Sequence, residues 1–270
     1  MSGCHQPDTS GSVVTSGKGE MRRTVPLLGV EIDVVDTAAL CYRLLEFAAG
    51  NRQRRVMYVN ADCMLIAHEN RRYGDLLNRA DLVYADGIGV VLGARLFGHR
   101  LPGRSTGADF FPYFCAMAAE RGIRLYLLGA AEGVARAAAE RLQRDIPELR
   151  IVGTHHGYFR RRESGRIIDA VNRARPHVVV IGFGAPAQEF WMEEFGPRLE
   201  ARVLWGVGGL FDFLSGNTRR GPRWLLDHGF EWLCRLFIEP RRLWRRYLIG
   251  NVRFLALLLR HRLFNRKSAT

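Results

Sequence analysis

The sequence predicts an α/β fold: a Rossmann-like, mostly parallel sheet with helices on both faces, followed by a C-terminal helical, membrane-binding appendage. Six short β-branched or apolar runs alternate with amphipathic segments of helical period, as in a sheet whose strands are joined by crossover helices. Four of five strand exits carry glycine, which lets backbone N–H groups come close to a ligand. The charge is unevenly placed. Of a net +13, residues 219–270 supply +10, with 13 Lys/Arg against Asp227, Glu231 and Glu239.

Taken in order, residues 1–20 are rich in Ser, Gly and Thr, lack an apolar run, and read as a disordered leader rather than a secretion signal. Residues 25–35 read as an extended pair or hairpin at the sheet edge. Strands are expected at 55–59, 82–84, 124–128, 150–152, 178–181 and 203–207. Helices are expected at 37–49, 62–79, 88–97, 108–120, 132–144 and 163–174. Residues 21–218 thus form the catalytic domain and 219–270 the appendage. In the appendage Pro222 and Pro240 sit where helices begin, and Gly250-Asn251 interrupts the last one.

The appendage mixes charge with bulk. It holds Trp224, Phe230, Trp232, Phe237, Trp244, Tyr247, Phe254, Phe264 and the run Phe254-Leu-Ala-Leu-Leu-Leu259. Such a segment suits an anionic surface with an apolar interior, a membrane or a lipid-linked phosphate. Arg242, Arg246, Arg253 and Arg260 recur at helical spacing. They are expected to face lipid headgroups while Trp244 and the leucines are buried. No apolar run approaches the ~20 residues needed to span a bilayer, so the expected location is cytoplasmic, peripheral on the inner membrane face. Five scattered cysteines without a CxxC indicate neither a disulfide framework nor a zinc site.

In a parallel sheet ligands sit beyond the carboxyl ends of the strands. The residues expected there are Asn60, Asp86-Gly87, Gly129, Gly182-Phe-Gly184 through Gln188, and Gly206-Val-Gly208-Gly209. Asp86 is placed to take a proton from a hydroxyl nucleophile, although Asp-Gly is equally an ordinary turn pair. Arg104, in Leu101-Pro-Gly-Arg-Ser-Thr-Gly107, is a candidate clamp for an anionic leaving group, against the plainer reading of a solvated surface arginine. Gln188 is placed to hydrogen-bond a polyhydroxylated ligand, and Glu189 to serve its helix N-terminus. His155-His156 and Tyr158-Phe159 read as structural. No Asp-x-Asp stands at a strand exit, so neither a metal nor another cofactor is indicated. Arginines and helix N-termini would then stabilise a departing diphosphate.

Together these segments resemble the WecG/TagA/CpsF glycosyltransferases. The resemblance rests on Val59-Asn-Ala-Asp62, Ala85-Asp-Gly87, Arg104-Ser-Thr-Gly-Ala-Asp109, Leu128-Gly-Ala-Ala-Glu-Gly-Val134, Gly182-Phe-Gly-Ala-Pro-Ala-Gln-Glu189, Val207-Gly-Gly-Leu-Phe-Asp212 and the arginine-rich segment beginning at Glu231. It implies an inverting transferase that moves N-acetylmannosamine, its uronic acid or glucose from a UDP-sugar donor to a polyprenyl-diphosphate-linked saccharide. It further implies Asp86 as base, Arg104 as essential arginine, Asn60 and Gln188 in the pocket, and Arg235, Arg242 and Arg245 closing over the diphosphate. The chain departs from the family pattern at Tyr58, where Thr is frequent, and at Ala187, where Lys is frequent.

Two other readings stay open at this point. A dinucleotide-dependent oxidoreductase is suggested by Gly87-Ile-Gly-Val-Val-Leu-Gly93, although an Asp before the first glycine would repel a pyrophosphate. A nucleic-acid-binding protein is suggested by the pI of about 10.3, although the leucine run offers nothing to bases or phosphates.

Overall fold

A computed structural model of the chain describes residues 12–15, 21–218, 221, 225, 231–238 and 240–267. Strands β1 (Ser12–Thr15), β2 (Met21–Leu27) and β3 (Val30–Asp33) form a small antiparallel sheet. The β2–β3 hairpin expected at 25–35 is present, turning at Leu28 and Gly29, both with positive φ as a type I′ turn requires. β1 lies within the stretch expected to be a disordered leader. Its Ser-Val-Val-Thr sequence is β-prone, and it finds a partner edge in β2. The rest of that leader lies outside the described residues.

The main sheet follows, with α1 (Thr37–Ala49), β4 (Arg54–Val59), α2 (Ala61–Glu69), α3 (Arg71–Asn78), β5 (Leu82–Ala85), α4 (Ile88–Leu96), α5 (Gly107–Glu120), β6 (Arg124–Gly129), α6 (Val134–Asp145), β7 (Arg150–His155), α7 (Ser164–Ala174), β8 (Val178–Gly182), α8 (Ala187–Phe195), β9 (Val203–Gly206) and α9 (Leu210–Leu214). All six expected strands pair in parallel, in the order β5-β4-β9-β8-β6-β7. The helix expected at 62–79 is two helices. Asn70 leaves helical geometry and its side chain accepts from Tyr73 N, capping α3.

Right-handed crossovers that run in opposite directions along the sheet put helices on opposite faces. Accordingly α1, α5, α6 and α9 pack as one group, and α2, α3 and α8 as another. The chain reverses direction between β6 and β8, so a crevice opens beyond their carboxyl ends. Under the first group, Trp205 of β9 is fully buried against Phe110, Phe111 and Phe114 of α5.

The small sheet is fastened to the β5 edge by a buried ion pair. Arg22 meets both oxygens of Asp33 at 2.6 and 2.5 Å and donates to Ala80 O, while Asp33 Oδ2 accepts from Val83 N. Both side chains are out of water, yet every oxygen and most N–H groups have partners.

The C-terminal segment is helical at Glu231–Ile238 and Pro240–Trp244, passes through a π-helical turn at Arg245–Ile249, and ends in the helix Gly250–Lys267. Pro240 starts a helix as expected; Pro222 lies outside the described residues. Gly250 does not break the helix, because its φ and ψ are helical and the slack is taken up by the π turn before it. Phe254, Leu257 and Leu258 join the main core. They enter it at α4, where a Cβ on Gly89 would lie 3.6 Å from the Phe254 ring and one on Gly93 would lie 3.3 Å from both Leu258 methyls. The glycines that suggested a dinucleotide fingerprint are thus the notch in which the last helix lies.

Removing one partner of the Arg22–Asp33 pair strands a buried charge. Asp33→Ala is therefore expected to destabilise the fold by about 3–5 kcal/mol, read from the shift of the urea unfolding midpoint at constant m-value.

Candidate active site

The carboxyl ends of β4, β9, β8 and β6 meet so closely that only glycine fits between them. A Cβ on Gly129 would lie 2.5 Å from Gly182 O, one on Gly182 would lie 2.8 Å from Gly208 O, and one on Gly208 would lie 2.4 Å from Tyr58 Oη. Gly182 and Gly208 of this row floor a cavity of about 610 Å³, large enough for a nucleotide-sized ligand.

Asp86, Asn60, Gly182, Gly184 and Gly208 line it, as their positions at strand exits predict, and so does Arg104 from the loop between α4 and α5. Asp86 is carried on the end of β5, its N–H bonded to Val59 O at 2.8 Å, and Gly87 at φ +134 turns the chain into α4. The Arg104 loop is pinned beside it. Ser105 N donates to Ala85 O at 2.9 Å, and Ser105 Oγ lies 3.1 Å from Thr37 Oγ1. Asn60 lines the cavity, but its Oδ1 caps α2 by accepting from Asp62 N and Cys63 N.

Other residues differ from expectation. Gly129 is not at the cavity surface, because its position is taken up by contact with Gly182. Gln188 is fully buried behind the floor. Its Oε1 accepts from Gly208 N at 3.0 Å and its Nε2 donates to Glu189 Oε1 at 2.8 Å, so it holds the floor rather than reaching into the cavity. Arg245 is exposed beside the Trp244 ring, and Arg246, one residue on, lines the cavity. The side chains of Arg235 and Arg242 lie outside the described residues. Arg246 Nε is 3.1 Å from Asp62 Oδ2, close enough for charge attraction but misaligned for a hydrogen bond. Arg253 pairs with Glu69. These two arginines pair with acids of α2, Arg253 while still exposed; Trp244, Val252, Leu255 and Leu259 are exposed and Leu257 and Leu258 buried, so the burial expected for this segment holds for only part of its apolar residues.

Tyr58 is almost wholly buried but lines the cavity. Burial holds its phenol well above the ordinary range, and Cys63, Glu189 and Asp86 add to that, so it stays a neutral hydroxyl. Tyr158, grouped with a structural loop by sequence, stands exposed at the rim. His155 and His156 do stack structurally, against each other and Phe159. From α4 and the C-terminal segment come Leu92, Leu96, Leu243, Phe254, Leu255 and Leu258. One part of the cavity is thus polar and charged and another is apolar. The apolar wall joins two segments more than 140 residues apart, a juxtaposition that no local pattern displays.

A doubly wound α/β sheet with a ligand-sized cavity beyond its carboxyl ends, lined by Asp62, Asp86, Asp212, two arginines and bare glycine backbone, places the protein among α/β folds with a ligand site at the strand exits. Comparison with known proteins narrows that class to one family. The chain belongs to the glycosyl transferase WecG/TagA/CpsF family, whose model matches residues 25–268. Among its relatives is a Bacillus spizizenii protein named N-acetylglucosaminyldiphosphoundecaprenol N-acetyl-beta-D-mannosaminyltransferase, 30% identical over 86% of this chain and 90% of that one. A Bacillus subtilis protein of the same name is 33% identical over 70% of this chain and 73% of its own length.

Glu189 carries a measurable consequence. Burial pushes its carboxyl from 4.5 up to about 7, with Gln188 opposing. Between those values the folded chain binds more protons than the unfolded one, so stability falls as pH rises from 4.5 and the loss is complete above 7. Glu189→Gln is expected to abolish this component, about 3 kcal/mol, in unfolding curves compared at pH 5 and pH 8.

Proposed function

We propose that this chain transfers N-acetylmannosamine from its UDP-sugar to a polyprenyl-diphosphate-linked N-acetylglucosamine, with inversion at the anomeric carbon and without a metal. The observation that carries this reading is the two-ended cavity. Asp86, Arg104 and Arg246 line a charged part and Leu92, Leu96, Leu255 and Leu258 an apolar part, which suits an acceptor that is a diphosphate sugar at one end and a hydrocarbon at the other. The names of the Bacillus relatives supply the sugars, and the β-linkage in those names fits attack on an α-linked donor from the opposite side.

In this mechanism Asp86 takes the proton from the acceptor hydroxyl as its oxygen bonds to the anomeric carbon. The bond from that carbon to UDP breaks, and the electron pair leaves on the diphosphate. Arg104 and Arg246 stabilise the developing charge in a site shielded from bulk water. Gly182, Gly184 and Gly208 let the donor approach the backbone. Asn60 and Tyr58 border the same space, and Gln188 acts from behind it.

The same reading makes the protein peripheral to the inner face of the cell membrane. Val252, Leu255, Leu259 and Leu263 are exposed at steps of three and four along one face of the last helix, continued by Leu248 and Trp244. Among the described residues no helix is long and apolar enough to cross a membrane. The stripe instead suits a helix lying in the interface, with the acceptor delivered from the bilayer into the apolar part of the cavity.

Asp86→Asn should lower kcat by about 10²–10⁴ while UDP affinity, measured by calorimetry, stays within about threefold. An active Asn variant would remove Asp86 from the role of base. Replacing Val252, Leu259 and Leu263 together by Ser should weaken co-sedimentation with anionic phospholipid vesicles by about tenfold or more, since each removes an apolar side chain worth about 1.5–3 kcal/mol on burial. Unchanged sedimentation would count against docking through this stripe.

A further inference from the structure

Glu189 stands in the first turn of α8 with no solvent exposure, and its Oε2 has no hydrogen-bond partner among the described residues. The ionisable groups around it are Tyr58 of β4, Cys63 of α2 and Tyr73 of α3, each of whose protons its charge would hold more tightly; Asp86 and Arg246 act on the same Tyr58. Among the described residues no cation pairs with it. A leucine would fill such a place without the desolvation penalty that a half-partnered carboxyl carries. Stability therefore does not account for an acid here.

The bond it accepts from Gln188 does. The Gln188 amide has a donor end and an acceptor end, nearly alike in shape. Gly208 N–H needs the acceptor end, and the donor end then points at Glu189 Oε1. Were the amide turned over, two N–H groups would confront each other at Gly208. The Glu189 oxygen adds to the cost of that inverted state, because inversion would break the bond it accepts from the nitrogen end. Gly206 leaves room for this amide, since a Cβ there would lie 2.8 Å from Gln188 Nε2.

We propose that Glu189 is a positioning residue for the transfer described above: it sets the direction of the Gln188 amide and through it the backbone of Gly208 at the cavity floor. Gly208 in turn abuts Gly182 and Tyr58, so the relay governs the surface on which the donor rests. Glu189 acts best uncharged. Ionised, it puts an unpaired negative charge beneath a site that receives a diphosphate. Burial keeps its proton on up to about pH 7.

The test compares wild type, Glu189→Leu and Glu189→Gln with UDP-N-acetylmannosamine and a short-chain lipid-diphosphate-linked N-acetylglucosamine. Amide exchange at Gly208 is followed without substrate. The Leu variant is expected to exchange Gly208 N–H about tenfold faster and to lose about tenfold in kcat without melting at a lower temperature. A purely structural role would instead lower melting temperature and activity together. The Gln variant, with an oxygen but no charge, is expected to restore slow exchange and turnover and to lose the rise in donor KM that wild type shows above pH 7. Unchanged Gly208 exchange or wild-type kcat in the Leu variant overturns the proposal, as does a Gln variant that retains the alkaline rise in KM. If the Leu variant does not fold, the Gln comparison decides. A wild-type protein inactive on this substrate pair overturns the assigned substrates instead, and the relay is then judged by Gly208 exchange and by UDP affinity, which the Leu variant should weaken.

Discussion

Everything at this site depends on how closely four strand ends approach one another. Tyr58, Gly208, Gly182 and Gly129 belong to β4, the β9 exit, β8 and β6, and each occupies the space a side chain on the next would need. A Cβ on Gly129 or Gly182 would force neighbouring backbones apart, with no flexible side chain there to yield, and one on Gly208 would meet the Tyr58 hydroxyl. The cost of bare backbone is conformational freedom in the unfolded chain. What it produces is a flat floor at the reversal point of the sheet, where a ligand can reach main-chain groups.

That floor makes the charged residues useful. Asp86 comes from the β5 exit and Arg104 from the loop between α4 and α5, and the bond from Ser105 N to Ala85 O brings the two to one wall. The opposite wall belongs to the last helix, which settles into the notch of Gly89 and Gly93 and brings Leu255 and Leu258 to the cavity. A helix that completes a site and also shows an apolar stripe outward links the two surfaces mechanically. In the proposed reaction, interfacial contact and acceptor entry adjoin on one helix, with Leu255 belonging to both surfaces.

The arginines of this segment show why charge alone misleads. Spacing puts Arg246 and Arg253 on a common face but does not say which way that face turns. Asp62 and Glu69 of α2 pair with Arg246 and Arg253, and Leu255 and Leu259 are left exposed while Leu257 and Leu258 pack inward. Basic composition accordingly reports less about headgroups here than about how the helix is held. The Gly87 to Gly93 run is a parallel case. Its glycines look like a phosphate loop and serve chiefly as a packing groove for Phe254 and Leu258.

By itself the sequence determined the parallel sheet, the β2–β3 hairpin, the family and the strand exits that carry Asp86, Asn60, Gly182, Gly184 and Gly208. These are properties of local periodicity and of residues adjacent to a strand end, where main-chain direction follows from chain order. Only the tertiary structure decided that Gly129 and Gln188 lie behind the floor, that Arg246 rather than Arg245 lines the cavity, that Gly250 stays helical, and that Asn70 divides one expected helix into two. The division at Asn70 turns on a side-chain cap competing with the helix. The others turn on which atom meets which across more than a hundred residues, and such meetings are set by packing and by buried polar pairing, neither of which leaves a period in the chain.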